Sequence, residues 1–251
     1  MDRVDGLKLV ICGAAGGIGS AAVRGFADDG AKIVAFYKST PPAEHLRDCA
    51  LWVQCDLTDK AAVDAAFRDA QQHLGGLDAV IQAAGTWRGG RPESVNGDEI
   101  DFLLSVNLKT TIYTNQAAHE CMKGAGGRII NFGSIDGISG NPSSALYAAT
   151  RGAVHSWTRS AAKAWGKDGI NVNTVSPAMH TDLVETLFNQ FDDAGKAAFI
   201  ATLAQRIPMG GKLGEPAQDL VPVLKFLAGP GSRYVTGQLI PVDGGMIMVG
   251  A

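Results

Sequence analysis

The sequence lacks a strong excess of either positive or negative charge. Its 251 residues include 22 Lys and Arg against 25 Asp and Glu, which gives a formal net charge of −3, and the basic residues form no cluster. Proteins that bind nucleic acids or anionic membranes usually present such clusters. The sequence therefore predicts neither nucleic acid nor a membrane as a partner.

Long apolar runs and paired cysteine motifs are also missing. No apolar segment reaches membrane-spanning length, and the opening MDRVDG lacks the apolar core of a signal peptide. The four cysteines, Cys12, Cys49, Cys55 and Cys121, show no CxxC spacing. We therefore expect free thiols in a reducing compartment, no metal site and a cytoplasmic protein.

The composition that is present is typical of a folded globular chain. Hydrophobic residues make up 46% of the sequence and charged residues 19%, a balance that argues against disorder. We find no linker, repeat or low-complexity tract. Because one α/β unit of this length can bury a substantial core, we predict a single domain over residues 1–251.

Apolar runs alternate with helical stretches along the chain, with short connections. Strands are predicted at residues 7–12, 32–37, 51–55, 77–82, 128–133, 170–176 and within 234–245, and helices at residues 20–29, 60–74, 96–123, up to 165 and at 216–228. This alternation indicates a doubly wound Rossmann-type α/β domain, with a mostly parallel seven-stranded sheet and helices on both faces.

A glycine-rich loop follows the first predicted strand. The sequence GAAGGIG occupies residues 13–19 and leads into a helix. Gly13, Gly17 and Gly19 would let backbone N–H groups approach a pyrophosphate, and the helix amino terminus adds favourable dipole charge. Glycines also mark ordinary turns, but the position after the first strand favours dinucleotide binding.

The end of the second predicted strand indicates which dinucleotide binds. An acidic residue there usually receives the ribose hydroxyls of NAD, whereas a cation suits the 2′-phosphate of NADP. The strand ends in Tyr37 and Lys38, without an acidic residue, so NADP(H) is favoured and NAD(H) stays open. Lys38 can also be an ordinary solvated residue. The glycine at position 16 supplies no second cation for the 2′-phosphate.

The candidate catalytic residues lie within residues 134–151. Tyr147 and Arg151 are four residues apart, so on a helix they share one face. A free phenol is a poor acid or base at neutral pH, but a neighbouring cation stabilises the phenolate. Ser134 follows an apolar strand, and open α/β sheets build their sites at the carboxyl ends of strands. Such a triad also arises by chance in helical proteins.

Several features have two interpretations on the sequence alone. Asn107, inside a predicted helix, is either exposed or used. Asp136 either contacts a polar part of a substrate or bonds to its own turn. The loop at residues 86–92, with Trp87 and two arginines, either binds an anionic or aromatic substrate or is a solvated loop. Residues 178–214 form either a substrate-covering helical segment or a plain helical excursion.

Taken together, the motifs resemble the short-chain dehydrogenase/reductase family, in its compact form and with most likeness to 3-oxoacyl reductases. The resemblance covers nearly the whole chain. The matches, in order, are the GAAGGIG loop from Gly13, Ala83-Ala84-Gly85, Asn107, Ser134, Tyr147, Asn173-x-Val175-x-Pro177 with Thr181, Phe226-Leu227-Ala228, and the closing VTGQ and VDGG.

The resemblance implies hydride transfer between NAD(P)(H) and a carbonyl or secondary alcohol. Tyr147 would carry the proton, Ser134 would hold the substrate oxygen, and Asn107 would support a water that leads protons to the site. Arg151 completes the predicted catalytic set. The resemblance also implies a homotetramer.

Cofactor contacts are expected along the same motifs. The predicted residues are Gly13, Gly17, Ile18, Gly19, Lys38, Asp56, Leu57, Ala84, Gly85, Tyr147, Arg151 and Thr181. By the resemblance, Asp56 and Leu57 would lie along the adenine. Gly85 would lie near the ribose and Thr181 near the carboxamide.

The main departure from the family pattern is Arg151, which stands where the family normally has a lysine. Arginine keeps the charge but is larger and planar, so the exchange is not conservative at a tight site. A displacement of the cofactor ribose by about 1 Å would cost on the order of a hundredfold in rate. Smaller departures are Gln82-Ala83-Ala84-Gly85, where the family often has Asn-Asn-Ala-Gly, and Ala178 in place of a glycine.

The leading hypothesis is an NADP-preferring ketone reductase or secondary-alcohol dehydrogenase. The alternative is a cofactor-binding regulatory or structural subunit without useful catalysis, which Arg151 alone supports. A chain freed from catalysis need not keep Ser134, Tyr147 and Asn107. An epimerase or dehydratase of the same fold is disfavoured by the glycine spacing and by the short carboxyl-terminal region.

Overall fold

Seven strands form one sheet at the centre of the molecule. The structure is a computed structural model that describes residues 4–249. The strands are β1 (Lys8–Cys12), β2 (Lys32–Tyr37), β3 (Leu51–Gln54), β4 (Ala79–Gln82), β5 (Gly127–Phe132), β6 (Ile170–Pro177) and β7 (Leu239–Val242). Their positions follow the apolar runs of the sequence closely, because a strand buried on both faces reads as such a run.

The strand order gives the sheet its functional edge. The order is β3-β2-β1-β4-β5-β6-β7, and all six pairings are parallel. The chain therefore winds in one direction from β1 to β3 and in the other from β4 to β7. A doubly wound sheet binds its ligands beyond the carboxyl ends of the strands at this change of direction, which here lies between β1 and β4. The predicted Rossmann-type fold is confirmed.

Helices cover both faces of the sheet. They are α1 (Gly17–Asp28), α2 (Lys60–Leu74), α3 (Gly97–Leu103), α4 (Thr110–Met122), α5 (Asp136–Ser139), α6 (Ala145–Trp165), α7 (Asp182–Asn189), α8 (Asp193–Arg206) and α9 (Val221–Ala228). Two π-helical turns, Leu104–Lys109 and Pro216–Leu220, precede α4 and α9. No helix within residues 4–249 is both long enough and apolar enough to span a bilayer.

The core consists of two apolar layers, one on each face of the sheet. Alternate residues of β1 illustrate the division, since Val10 and Cys12 pack towards α2, α4 and α6. Leu9 and Ile11 pack towards α1 and α9 on the opposite face. The four cysteines are free thiols, as the sequence predicted. The two layers hold the helices at fixed heights above the sheet.

The predicted helix at residues 96–123 is interrupted. Its start is fixed by a capping box, in which the Asn96 and Glu99 side chains each bond to the other's backbone. A π-helical turn then separates α3 from α4. The Thr110 and Thr111 hydroxyls bond to carbonyls four residues earlier, a pattern that competes with regular helix geometry. The extra residue of this turn carries Asn107 into the interior.

Other boundaries also differ from the sequence prediction, two of them in ways that bear on the site or the sheet. Helix α1 begins at Gly17 rather than at residue 20, because the Ser20 N–H already donates to the Gly16 carbonyl and closes the first turn. Within residues 234–245 only Leu239–Val242 is a strand. The Val235 carbonyl accepts bonds from the Asn171 and Asn173 side chains instead of a neighbouring strand, so this part of the chain is held by side chains.

Candidate active site

The glycine loop after β1 lies tightly against the sheet on one side and is open on the other. An added Cβ at Gly13 would lie 2.6 Å from backbone atoms of Ala84, and one at Gly19 would collide with the Gly13 carbonyl. Added Cβ atoms at Gly16 and Gly17 would meet nothing within 4 Å. The loop therefore presents bare backbone towards open space.

The amino terminus of α1 is prepared for an anion. Its N-cap is Gly16, which has no capping side chain, and the first turn contains no acidic residue. The first N–H groups of a helix lack intrahelical partners and carry the positive end of the helix dipole. Together with the bare glycine backbone, this end fits the pyrophosphate of a dinucleotide.

A cleft of about 470 Å³ extends from this loop across the carboxyl ends of β1, β2 and β4. All predicted cofactor residues except Tyr147 and Arg151 line it: Gly13, Gly17, Ile18, Gly19, Lys38, Asp56, Leu57, Ala84, Gly85 and Thr181. Tyr37, Thr58, Val106 and Asp182 also line it and were not predicted. The fold therefore gathers distant segments into one dinucleotide-sized cleft.

Lys38 forms an ion pair at one end of the cleft. Its Nζ lies 2.9 Å from an Asp56 carboxylate oxygen, while the Thr58 N–H and hydroxyl donate to the other oxygen at 3.0 and 2.8 Å. The bond from Lys38, followed by that from the Thr58 N–H, lowers the pKa of Asp56 to about 2. Both members of the pair are largely solvent-exposed, so their attraction is well screened.

Arg151 is a buried cation on α6. Only 7% of its surface is exposed. Its Nη1 donates to the Phe132 carbonyl at 3.0 Å, Nη2 would collide with a Cβ added on Gly85, and Nε is buried without a partner. Within residues 4–249, Arg151 forms no ion pair with a carboxylate. Its guanidinium carbon lies 5.2 Å from the centre of the Tyr147 ring.

Asn107 braces the end of β4 against α6. Its Oδ1 accepts the Thr86 N–H at 2.8 Å, while its Nδ2 donates to the Thr86 carbonyl at 3.0 Å and to the Thr150 hydroxyl at 3.1 Å. The side chain is fully buried. Of the two interpretations from the sequence, the structure supports an Asn107 that takes part in the site. Its bonds to Thr86 hold the neighbouring Gly85 next to Arg151.

Ser134 follows β5 directly and belongs to a cross-linked loop. Its Oγ accepts the Asp136 N–H at 3.2 Å. The Asp136 carboxylate accepts bonds from Asn141 Nδ2 at 3.0 Å and from Ser144 Oγ at 3.1 Å. Asp136 therefore bonds to its own loop, the alternative that the sequence slightly favoured, and it joins Ser134 to the start of α6.

The loop at residues 86–92 closes over the same region. Gly90 pairs through its backbone with Ser143 and Ala145, at 2.8 and 3.0 Å. Arg88 lies 4.0 Å from the Phe102 ring centre, and Arg91 forms an ion pair with Glu93. Both arginines thus have partners within the loop and on α3, which supports the solvated-loop interpretation.

A further residue, which lies beside the catalytic set, was not predicted from the sequence. His155 lies one helical turn after Arg151, is 4% exposed, and its Nε2 accepts the Ser134 N–H at 3.4 Å. The signal was available, because residues 147, 151 and 155 follow the four-residue spacing of one helix face.

The fold, the open glycine loop and the cleft define a dinucleotide-binding α/β protein. A family model described as enoyl-(acyl carrier protein) reductase matches residues 13–247. The 3-oxoacyl-[acyl-carrier-protein] reductase FabG of Vibrio cholerae is 31% identical, over 98% of this chain and 100% of its own. Galactitol 2-dehydrogenase of Agrobacterium fabrum is 30% identical, over 97% of this chain and 98% of its own.

Solved structures agree with these sequence relatives. A mutant short-chain dehydrogenase/reductase of Serratia marcescens superposes with a TM-score of 0.84 at 29% identity, over 97% of this chain and 99% of its own. The chain belongs to the short-chain dehydrogenase/reductase family. It is accordingly an NAD(P)-dependent oxidoreductase that acts on carbonyl or alcohol groups, and the family expected from the sequence is confirmed.

The buried His155 should make stability depend on pH. Burial, with the charges of Arg159 and Arg151, lowers the pKa of His155 to about 4, whereas an unfolded histidine titrates near 6.5. Between these values the unfolded chain binds a proton that the folded chain excludes, so the free energy of unfolding falls as the pH falls. The expected loss from pH 7 to below pH 4 is about 3 kcal/mol.

Urea unfolding at pH 7 and pH 4.5 measures this effect. In His155→Gln most of the pH dependence between these values should disappear, while the same change at the exposed His73 should leave it intact. Wild-type pH dependence in His155→Gln would contradict the assignment.

Proposed function

We propose that this protein is an NADP(H)-preferring ketone reductase or secondary-alcohol dehydrogenase in which Tyr147 transfers the proton. The observation that carries the proposal is the buried Arg151 cation, which has no carboxylate partner in the described residues and lies against the Tyr147 ring. A buried charge without a counter-ion is costly. A phenolate on Tyr147 would supply the missing negative charge.

Tyr147 and Arg151 act as one acid/base unit in this proposal. In the reductive direction Tyr147 gives its phenolic proton to the oxygen of the substrate carbonyl, and Arg151 stabilises the phenolate that remains. In the oxidative direction the phenolate takes the proton of the alcohol. Tyr147 is half-buried, so solvent can restore or remove the proton between turnovers.

Ser134 holds the substrate oxygen. Since its Oγ already accepts the Asp136 N–H, its own hydroxyl proton is left for the substrate. A donor fixed in this way stabilises negative charge as it develops on that oxygen. Both Nδ2 hydrogens of Asn107 are committed to Thr86 and Thr150, and Oδ1 accepts the Thr86 N–H. Asn107 therefore positions these residues, and one lone pair of Oδ1 is left to support the water that leads protons to the site.

The cofactor is held by the cleft residues. Gly13, Gly17, Ile18 and Gly19 would hold the pyrophosphate, Asp56 and Leu57 the adenine, Ala84 and Gly85 the ribose, Thr181 the carboxamide, and Tyr147 with Arg151 the nicotinamide ribose. When bound, the nicotinamide supplies or accepts the hydride. Gly85 joins this cleft to the catalytic residues, because it also contacts Arg151 and Asn107.

Lys38 would bind the 2′-phosphate of NADP(H). Its present partner, Asp56, is an exposed carboxylate, and exposed ion pairs contribute about 1 kcal/mol or less. A phosphate carries more charge and three acceptor oxygens, so it can take over Lys38 at little cost.

The relatives indicate candidate substrates, and residues 178–214 are the candidate substrate cover. Two relatives act, by their names, on an oxoacyl group and on galactitol, so both a β-ketoacyl thioester and a polyol are candidates. We propose that residues 178–214 cover the substrate, because Thr181 and Leu183 line the cleft and neither α7 nor α8 contains a buried residue. A homotetramer is proposed from family membership.

Cofactor titration followed by a substrate panel tests the function. NADPH and NADH binding are measured by fluorescence, and oxidation of the bound form is then followed with ketones, β-ketoacyl thioesters, ketoses and steroids, with polyols in the reverse direction. We expect tighter binding of NADPH and turnover of at least one compound. Binding without turnover across the panel would favour the non-catalytic subunit.

Tyr147→Phe removes the proposed proton carrier and little else. We expect kcat to fall by roughly a hundredfold to ten-thousandfold, with cofactor affinity nearly unchanged because the ring stays. Tyr113→Phe, which deletes a phenol elsewhere, is the control. Steady-state kinetics and fluorescence titration measure both effects, and turnover retained in Tyr147→Phe would exclude the assigned role.

Lys38→Asp should shift the cofactor preference towards NADH. The change removes a charge-assisted bond to the 2′-phosphate and adds a repelling carboxylate, so NADPH affinity should fall by about ten- to a hundredfold. Lys32→Asp makes the same charge change at the other end of β2 and should have no such effect. An unchanged ratio of NADPH to NADH affinity would remove Lys38 from the cofactor site.

Arg151→Lys should slow the enzyme. Lysine keeps the positive charge but has no second nitrogen to reach the Phe132 carbonyl while another lies beside Gly85. We expect kcat to fall by about tenfold, as for the loss of one bond from a charged donor. Arg159→Lys, on the exposed part of α6, is the control. Faster turnover in Arg151→Lys would mean that the site is not built around the guanidinium.

A further inference from the structure

Helix α6 holds the carboxyl end of β5 by two buried side chains one turn apart. Arg151 Nη1 binds the Phe132 carbonyl at 3.0 Å, and His155 Nε2 accepts the Ser134 N–H at 3.4 Å. The first bond belongs to the catalytic unit proposed above. The second has no part in it, although it reaches the residue that carries the proposed substrate-binding hydroxyl.

The histidine ring is packed against the backbone between these two bonds. An added Cβ at Gly133 would collide with His155 Nε2, and it would lie 2.8 Å from Thr174 Cγ2 of β6. A glycine at this position is therefore needed for the ring to fit between α6 and the strand ends. Because the ring has no room to move towards β5, its nitrogen stays directed at the next backbone N–H.

The Ser134 N–H depends on this nitrogen. The ladder between β5 and β6 ends one residue earlier, with the Gly133 N–H donating to the Val175 carbonyl at 2.8 Å. Beyond that point His155 is the acceptor found for the Ser134 N–H in the described part of the chain. The contact is partly buried, and an N–H that loses its acceptor in such a place destabilises the local backbone. Removal of the imidazole would therefore favour a shift of the Ser134 backbone.

The bond requires a neutral ring in a defined tautomer. To accept the Ser134 N–H, Nε2 must be unprotonated, and the ring proton must then lie on Nδ1. The charged groups that face the ring are Arg151 and Arg159 of its own helix, both of which oppose a further positive charge. The surroundings therefore maintain the form that the contact needs.

We infer that His155 is a positioning residue, whose neutral imidazole fixes the Ser134 backbone and thereby the hydroxyl that binds the substrate oxygen. The inference rests on the proposed function of Ser134. Two hydrogen bonds from backbone N–H groups place the Ser134 hydroxyl. The Asp136 N–H donates to Ser134 Oγ, and the Ser134 N–H donates to His155 Nε2. Reacting groups misplaced by about 1 Å can lose on the order of a hundredfold in rate.

A pair of substitutions separates the bond from the volume of the ring. His155→Leu keeps a side chain of similar size but has no hydrogen-bond acceptor. His155→Gln keeps an acceptor, because the glutamine Oε1 lies about as far from its own backbone as the histidine Nε2 does. We expect kcat to fall by about tenfold or more in His155→Leu and to stay within about threefold of the wild-type value in His155→Gln. The affinity for NADPH should change in neither variant. The substrate is the panel compound with the highest kcat/KM.

A matched control is available on the same helix. Thr158 is also buried, and its hydroxyl accepts bonds from the Asn131 and Thr174 side chains. It makes no bond to Ser134, so it controls for the loss of a buried acceptor elsewhere on α6. Thr158→Val should lower stability without the fall in kcat. Equal kcat in His155→Leu and wild type, or an equal fall in the Leu and Gln variants, would overturn the inference.

Two further measurements keep the test decisive. If Ser134→Ala retains full turnover, the proposed function of Ser134 fails, and the result is distinct from a failure of His155. If His155→Leu does not fold, the ¹⁵N spectrum of the imidazole in wild-type protein at pH 7 decides. An Nδ1–H tautomer with unprotonated Nε2 supports the inference, and a protonated Nε2 overturns it.

Discussion

The site depends on one buried cation. Arg151 has lost nearly all of its hydration, and in place of a carboxylate it has the Phe132 carbonyl, the Tyr147 ring and the backbone of Gly85. Neutral partners of this kind only partly offset the cost of burying a charge. The balance is restored when negative charge forms nearby. In the proposed mechanism, Arg151 would stabilise the negative charge that Tyr147 carries after it has given its proton to the substrate oxygen.

The position of that cation is set by the sheet. Because β4 and β5 are neighbours, Gly85 after β4 and Phe132 at the end of β5 lie on two sides of the same guanidinium. Gly85 also lines the cofactor cleft, so a single residue without a side chain separates the two halves of the site. Asn107 fixes that residue by bonding to Thr86 on both its N–H and its carbonyl. In the proposed function, cofactor binding and proton transfer would therefore be coupled through the backbone of Gly85 and Thr86.

The local parts of this arrangement could be predicted from the sequence, and the parts that depend on packing could not. Apolar runs and caps located the strands and the helix Lys60–Leu74, since these signals act within a few residues. The π-helical turn around Asn107 was missed because the buried amide bonds to Thr86 and Thr150, which lie on segments far away in the sequence. The pairing of Lys38 with Asp56 was missed because it joins two strand ends that only the sheet brings together. His155 had the right spacing, but its contact with Ser134 follows from the distance between α6 and β5.

An arginine in place of lysine changes what the catalytic helix can do. A lysine presents one ammonium group on a flexible stem, so it can follow a cofactor but cannot also hold a strand. The planar guanidinium of Arg151 holds the end of β5 with one nitrogen while another lies beside Gly85. The guanidinium is therefore held by the protein's own backbone. In the proposed function the acid/base group would thus be preorganised, and the helices of residues 178–214 would distinguish between substrates.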